Sequence, residues 1–194
     1  MMAENKPEEK PKMSKILKGK NWFAITAPKL FNEHPLGEAL ATDPATLVGR
    51  IISSSLLELT GDPSRYYVRL FFRVTSFDGA AARTSYAGHE TTNDFLARVV
   101  QLRTTRIDNN DVLQLMDGKM RIKSVAITNR HVTEKVEKAV RAQIRELIAA
   151  TVKEKTIDQF IEAFVKGEIQ QAIHSEMNKL YPLRVFEFTK TEVL

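Results

Sequence analysis

The 194 residues carry 29 basic and 24 acidic side chains, a net charge of +5, and 43% of them are hydrophobic, which suits one sizeable core. No run approaches the roughly 18 apolar residues of a membrane span, and the charged start has no apolar stretch for a signal peptide. The absence of cysteine excludes a disulfide framework, thiol catalysis and cysteine-ligated zinc, and it suits a cytoplasmic location.

Residues 1–20 hold six Lys and three Glu, a net +3, with almost nothing to contribute to a core. They read as a basic, disordered arm, followed by a single domain over residues 21–194. Trp22 to Thr26 is a short β-prone run stopped at Ala27-Pro28. Asp43-Pro44 restarts the chain, Leu47 to Leu59 is aliphatic with interspersed Ser, and Gly61-Asp62-Pro63-Ser64 is a turn cluster.

From Tyr66 to Phe77 the pattern has a period of two. Tyr67, Arg69, Phe71, Arg73 and Thr75 share one face, and Val68, Leu70, Phe72 and Val74 the other. Asp78-Gly79 predicts a hairpin returning over Ala82 to Thr92. Asn93 to Gln101 reads as a short helix and Asp108 to Asp111 as a turn. A second hairpin turns at Asp117-Gly118, between Val112–Met116 and Met120–Thr128.

After Thr133, a plausible N-cap, the period becomes helical: Val136, Val140, Ile144, Leu147 and Ile148 share a face, with Glu134–Lys138 and Glu137–Arg141 as i,i+4 pairs. Ile157, Phe160, Ile161 and Phe164 mark a second helix ending at Gly167, and Ile169, Ile173 and Met177 a third. Tyr181-Pro182 breaks it. Residues 183–191 form a last strand, with Val185, Glu187 and Thr189 opposite Phe186 and Phe188. The expected architecture is α+β: an antiparallel sheet or barrel-like body over 21–131, helices over 132–180, then the closing strand.

No phosphate loop, nucleophile elbow or dinucleotide fingerprint is present, and His34, His89, His131 and His174 are scattered. His89 and Glu90 are neighbours in a strand and point to opposite faces, so His89 reads as a structural hydrogen-bonding residue. No metal, cofactor or small-molecule substrate is expected, and an enzyme with a dispersed site is disfavoured. What remains is cationic. Lys15, Lys18 and Lys20 precede Trp22-Phe23, of which at least one begins the core. Arg98, Arg103 and Arg106 cluster at and after the short helix; Arg121, Lys123 and Arg130 follow the second hairpin. Lys138, Arg141 and Arg145 make a helical stripe. Such clusters fit RNA, lysines and arginines tracking phosphates while rings stack on bases.

Seven landmarks in order carry a family resemblance: KNWFAITAPKLF at Lys20 to Phe31, DPATLVGR at Asp43 to Arg50, LELTGD at Leu57 to Asp62, Gly88-His89-Glu90-Thr91-Thr92, Thr105-Arg106-Ile107-Asp108, Asp117-Gly118, and YPLRVFEFTKTEVL at Tyr181 to Leu194. From about Lys20 onward the chain resembles the archaeal and eukaryotic small-subunit ribosomal protein family called e-S-one, also written S-three-a-e, in its archaeal length. The resemblance implies a non-catalytic protein on the platform of the small subunit, near the messenger exit, contacting ribosomal RNA and neighbouring ribosomal proteins. Ala97, Gln101 and Leu102 depart from the family, which usually has basic residues around the short helix. The alternative function is an RNA-binding or RNA-processing factor outside the ribosome.

Overall fold

The computed structural model describes residues 19–78, 81–153 and 155–194. In chain order these form β1 (Asn21–Thr26), β2 (Pro35–Ala41), β3 (Ile51–Ser55), α1 (Leu56–Thr60), β4 (Val68–Asp78), β5 (Ala81–Thr91) and α2 (Asn93–Val99). There follow β6 (Arg106–Gln114), β7 (Lys119–Thr128), α3 (Glu134–Lys153), α4 (Ile157–Lys166), α5 (Glu168–Leu180) and β8 (Leu183–Val193). The strands join one open eight-stranded sheet in the order β2-β1-β5-β8-β7-β6, with β4 also on β5 and β3 on β4. The fold is therefore α+β, and of the two bodies expected the open sheet is the one formed. Its pairings are antiparallel except β1 with β5.

Strand β5 organises the sheet. Along one side it pairs with β4; on the other, Ala81–Arg83 meet β1 and Gly88–Glu90 meet β8. The period of two in β4 fixes which face is covered: Val68, Leu70, Phe72 and Val74 are buried, Arg69 and Arg73 exposed. Helices α3, α4 and α5 cover the apolar face. Phe160 and Phe164 of α4 stack edge-on against Phe188 at 6.0 and 6.1 Å, and Ile144, Ile148, Ile173 and Met177 fill the same core. A smaller cluster, Ile25, Ala41, Leu47, Val74 and Ala82, closes the β1–β2 corner.

The helices end as their sequences dictate. Thr156 and Gln159 make a reciprocal capping box at the start of α4, with bonds of 3.3 and 3.1 Å. Gly167 closes α4 at φ 81°, and the Arg65 guanidinium lies so close over it that a Cβ would collide. That guanidinium donates to the Phe164 carbonyl at 2.6 Å, a cation placed on the negative end of the helix.

Two expectations are corrected, and one strand is new. Asp108–Asp111 is no turn but the middle of β6, paired with Ile122–Val125. Burial of Asn109 and an ion pair on Asp111 outweigh the poor strand propensity of Asp and Asn. Strand β2 went unpredicted because Pro35 and Gly37 look like breakers; Pro35 is tolerated as the first residue of an edge strand. Finally, the carboxylate face of β8 is closed over at Glu187, where a half-buried strand would leave it wet. Glu187 is only 6% exposed, taking hydrogen bonds from Tyr67 Oη at 3.0 Å and Gln170 Nε2 at 3.1 Å. Residues 1–18 of the expected arm, with Lys15 and Lys18, lie outside the described residues, as does Gly79 of the first hairpin turn.

Candidate nucleic-acid interface

Three chain segments converge at one end of the sheet: the α2–β6 loop, the exit of β7 and the entry of β8. Thr105 and Thr128 exchange backbone and side-chain hydrogen bonds of 3.0 Å, and Thr105 Oγ1 meets His131 Nδ1 at 3.1 Å. Asn129 N–H donates to the Pro182 carbonyl at 3.4 Å, and Arg184 donates to the Gln101 side chain. Arg98, Arg103, Arg130 and Arg184, all exposed, stand on or next to these converging segments. Arg98 is oriented by a 2.8 Å bond to Tyr66 Oη, and Arg103 sits at the loop tip with a left-handed φ of 65°. Beside it Leu102 is 95% exposed. Among the described residues none of these four arginines has a carboxylate within ion-pair distance.

The other sequence clusters fare differently. Arg106 turns to Asp108 at 2.9 Å. Arg121 and Lys123 lie on the open face of β7, about 23 and 17 Å from its exit at Thr128 at about 3.3 Å per residue, so Arg130 separates from them. Arg121 shares Glu192 with Lys190, at 3.3 and 2.7 Å, while Lys123 stands opposite Lys190 with no carboxylate partner among the described residues. The α3 stripe is neutralised: Lys138 on Glu134 at 2.7 Å, Arg141 on Glu137 at 2.6 Å, and Arg145 on Asp111 of β6 at 2.7 Å. Lys20 is exposed at the start of β1. Trp22 is 59% exposed, while Phe23 packs edge-on against Phe77 at 5.0 Å, so only one of the pair begins a core. Arg184 was missed from the sequence because a lone arginine entering a strand carries no signal.

His89 belongs to the fold. It is fully buried, stacked on Phe164 at 4.0 Å. Its Nε2 donates to the Phe188 carbonyl at 3.3 Å, which leaves Nδ1 to accept from Thr191 Oγ1 at 2.7 Å, and Tyr86 Oη donates in turn to Thr191 Oγ1 at 2.8 Å. Burial pushes its pKa down to about 3, so the ring stays neutral. Burial likewise raises the Glu187 carboxyl above the ordinary range, despite the donors around it. Among the described residues no three His, Asp or Glu side chains gather closely enough to hold a metal ion, and no helix is long and apolar enough to cross a membrane.

These residues define an α+β protein whose buried polar groups serve the fold and which carries four exposed arginines without carboxylate partners among the described residues on the segments that meet at one end of the sheet. A family model described as the Ribosomal S3Ae family matches residues 8–194. The chain is 35% identical over 178 residues to the small ribosomal subunit protein eS1 of Methanothermobacter thermautotrophicus, covering 91% of each chain. It is 34% identical to eS1 of Methanobrevibacter smithii, over 91% of this chain and 92% of that one. Against eS1 of Methanocaldococcus jannaschii the identity is 34%, over 91% and 80%. The chain belongs to the ribosomal S3Ae family.

The family landmarks acquire physical meaning in this fold. At Gly88 a Cβ would lie 2.2 Å from the Thr191 carbonyl oxygen, so only glycine lets β5 and β8 approach. His89 then bridges to β8, and Thr91 Oγ1 donates to the Phe188 carbonyl at 2.8 Å. The Gly-His-Glu-Thr-Thr motif and the closing segment are two halves of one strand junction.

Proposed function

We propose that this chain is a non-catalytic structural constituent of the small ribosomal subunit, working in the cytoplasm and seated on the platform near the messenger exit. It holds ribosomal RNA through phosphate contacts made chiefly by Arg98, Arg103, Arg130 and Arg184, with neighbouring ribosomal proteins around it. Membership of the S3Ae family and its similarity to small ribosomal subunit proteins support the assembly. The observation that carries the RNA contact is the convergence of four exposed arginines lacking carboxylate partners among the described residues. Phosphates fill the place that carboxylates take beside Arg106, Arg121, Arg141 and Arg145. Lys20 and Lys123 add secondary contacts, whereas Arg106, Arg121, Arg141 and Arg145 have their charge answered within the chain.

The test is the salt dependence of binding to small-subunit RNA. Changing Arg103, Arg130 and Arg184 together to Gln should weaken binding and reduce the log–log salt slope by about three. Changing Arg121 and Lys123 should remove about one, since only Lys123 is unpartnered. Equal slopes for the triple variant and the parent protein would sink the assignment.

A further inference from the structure

The open face of the sheet, opposite the helices, holds an aromatic ring that neither apolar core uses. Phe71 of β4 is half-buried and belongs to neither cluster, unlike its neighbours Leu70 and Phe72. Its partner across the ladder on β5 is Gly88, so no side chain stands beside the ring there. The gap is built in, because the contact with Thr191 forbids any larger residue at position 88.

Two depressions meet at this ring. One, of about 340 Å³, is lined by Arg69, Phe71, Glu90, Thr92 and Asp94. The other, of about 370 Å³, is lined by Phe71, Arg73, Gly88, Glu90, Lys190 and Glu192. Phe71 is the ridge between them. Arg69 and Arg73 lie one residue pair to either side on the same face of β4, each about 6.6 Å away along the strand. Neither has a carboxylate within ion-pair distance among the described residues.

We propose that Phe71, with Arg69 and Arg73, is a binding site for two consecutive unpaired nucleotides of an RNA strand. One base stacks on the ring and the next enters the adjoining depression, while the two arginines, about 13 Å apart along the strand, meet the phosphates at the two ends of the dinucleotide. Stacking on a sheet-borne aromatic flanked by cations is the means by which open sheet faces hold single strands. Glu90, Asp94 and Glu192 make the lining charge-balanced, unlike the arginine end. A carboxylate beside a stacked base accepts from amino groups, which cytosine and adenine present and uracil lacks. The site therefore reads bases as well as holding backbone, and favours oligo(C) and oligo(A) over oligo(U). It stands apart from the arginine end, so either assignment can fail alone.

The experiment measures fluorescence anisotropy of labelled oligo(C), oligo(A) and oligo(U) with the full chain. Phe71→Leu, which keeps an apolar side chain, should weaken oligo(C) binding about tenfold or more. The paired change Arg69→Gln and Arg73→Gln should weaken all three oligomers and flatten their salt dependence, and Glu90→Gln should erase the discrimination against oligo(U). Lys135→Gln on α3 should change nothing. Ultraviolet crosslinking of the unmodified chain supplies a readout independent of variant folding: the crosslinked peptide should contain Phe71. In assembled subunits, a crosslink there to ribosomal RNA or to an added messenger strand supports the site and names its source. Unchanged affinity in Phe71→Leu, a crosslink confined to other peptides, or burial of Phe71 under a neighbouring protein in the subunit overturns it.

Discussion

His89 shows how a residue that looks chemical in the sequence becomes structural in the fold. With an ordinary pKa near 6.5 when unfolded and about 3 when folded, the unfolded chain binds a proton that the folded one refuses. The stability this ring contributes is complete above about pH 6.5 and is lost as the pH falls toward 3, by up to about 1.4 kcal/mol per pH unit. Denaturant midpoints should therefore decline between pH 6.5 and 5, and His89→Gln should remove most of that decline. His89→Ala leaves the Thr191 and Tyr86 hydroxyls and a ring-sized void behind, a cost of about 3 kcal/mol. Calorimetry should show a melting point lower by about 6–12 °C; an unchanged value would mean the ring is dispensable. Tyr67→Phe strips a donor from buried Glu187 and should cost about 1–3 kcal/mol, seen as a lower denaturant midpoint. The structural reading of His89 was available from its strand position, but the burial of Glu187 was not. Alternation puts a carboxylate on a wet face by default, and the donors that make its burial tolerable come from positions 67 and 170.

At the scale of elements, β8 is the strand on which the fold depends. It lies between β5 and β7 and buries Phe186 and Phe188. Removing residues 183–194 would open both ladders and delete two aromatics, each worth about 3–5 kcal/mol, against a total stability of about 5–15 kcal/mol. The truncated chain should aggregate or stay unfolded by circular dichroism; a soluble product with a cooperative melt would show that β8 docks rather than folds. The long periodic elements were legible: β4, β5, β7 and the three C-terminal helices fall where hydrophobic spacing puts them. Even the ion pairs Lys138–Glu134 and Arg141–Glu137 form as their spacing demands. Short elements were less so. Ser55 and Glu58 carry a capping-box spacing and do cap α1, yet the aliphatic run around them hides the change from strand to helix.

Over the whole molecule, topology decides which charges can act. Arg98 and Arg103 were visible in one sequence cluster and Arg130 in another. Only the convergence of the α2–β6 loop with the ends of β7 and β8 unites them and adds Arg184. The helical stripe looked equally basic, but Arg145 meets an aspartate 34 positions away in sequence, which no local pattern reveals. The amino-terminal segment holds six Lys and three Glu and little apolar material. Deleting residues 1–19 should leave the melting point unchanged while weakening RNA binding; a large drop in melting point would assign that segment to the core. The most direct measurement of the central claim is sedimentation of the tagged chain through a high-salt gradient with small ribosomal subunits. The parent protein should stay with the subunit, and the Arg103, Arg130 and Arg184 triple Gln variant, still folded, should be washed off. A parent protein that stays at the top of the gradient, or a triple variant retained as firmly as the parent, would contradict that claim.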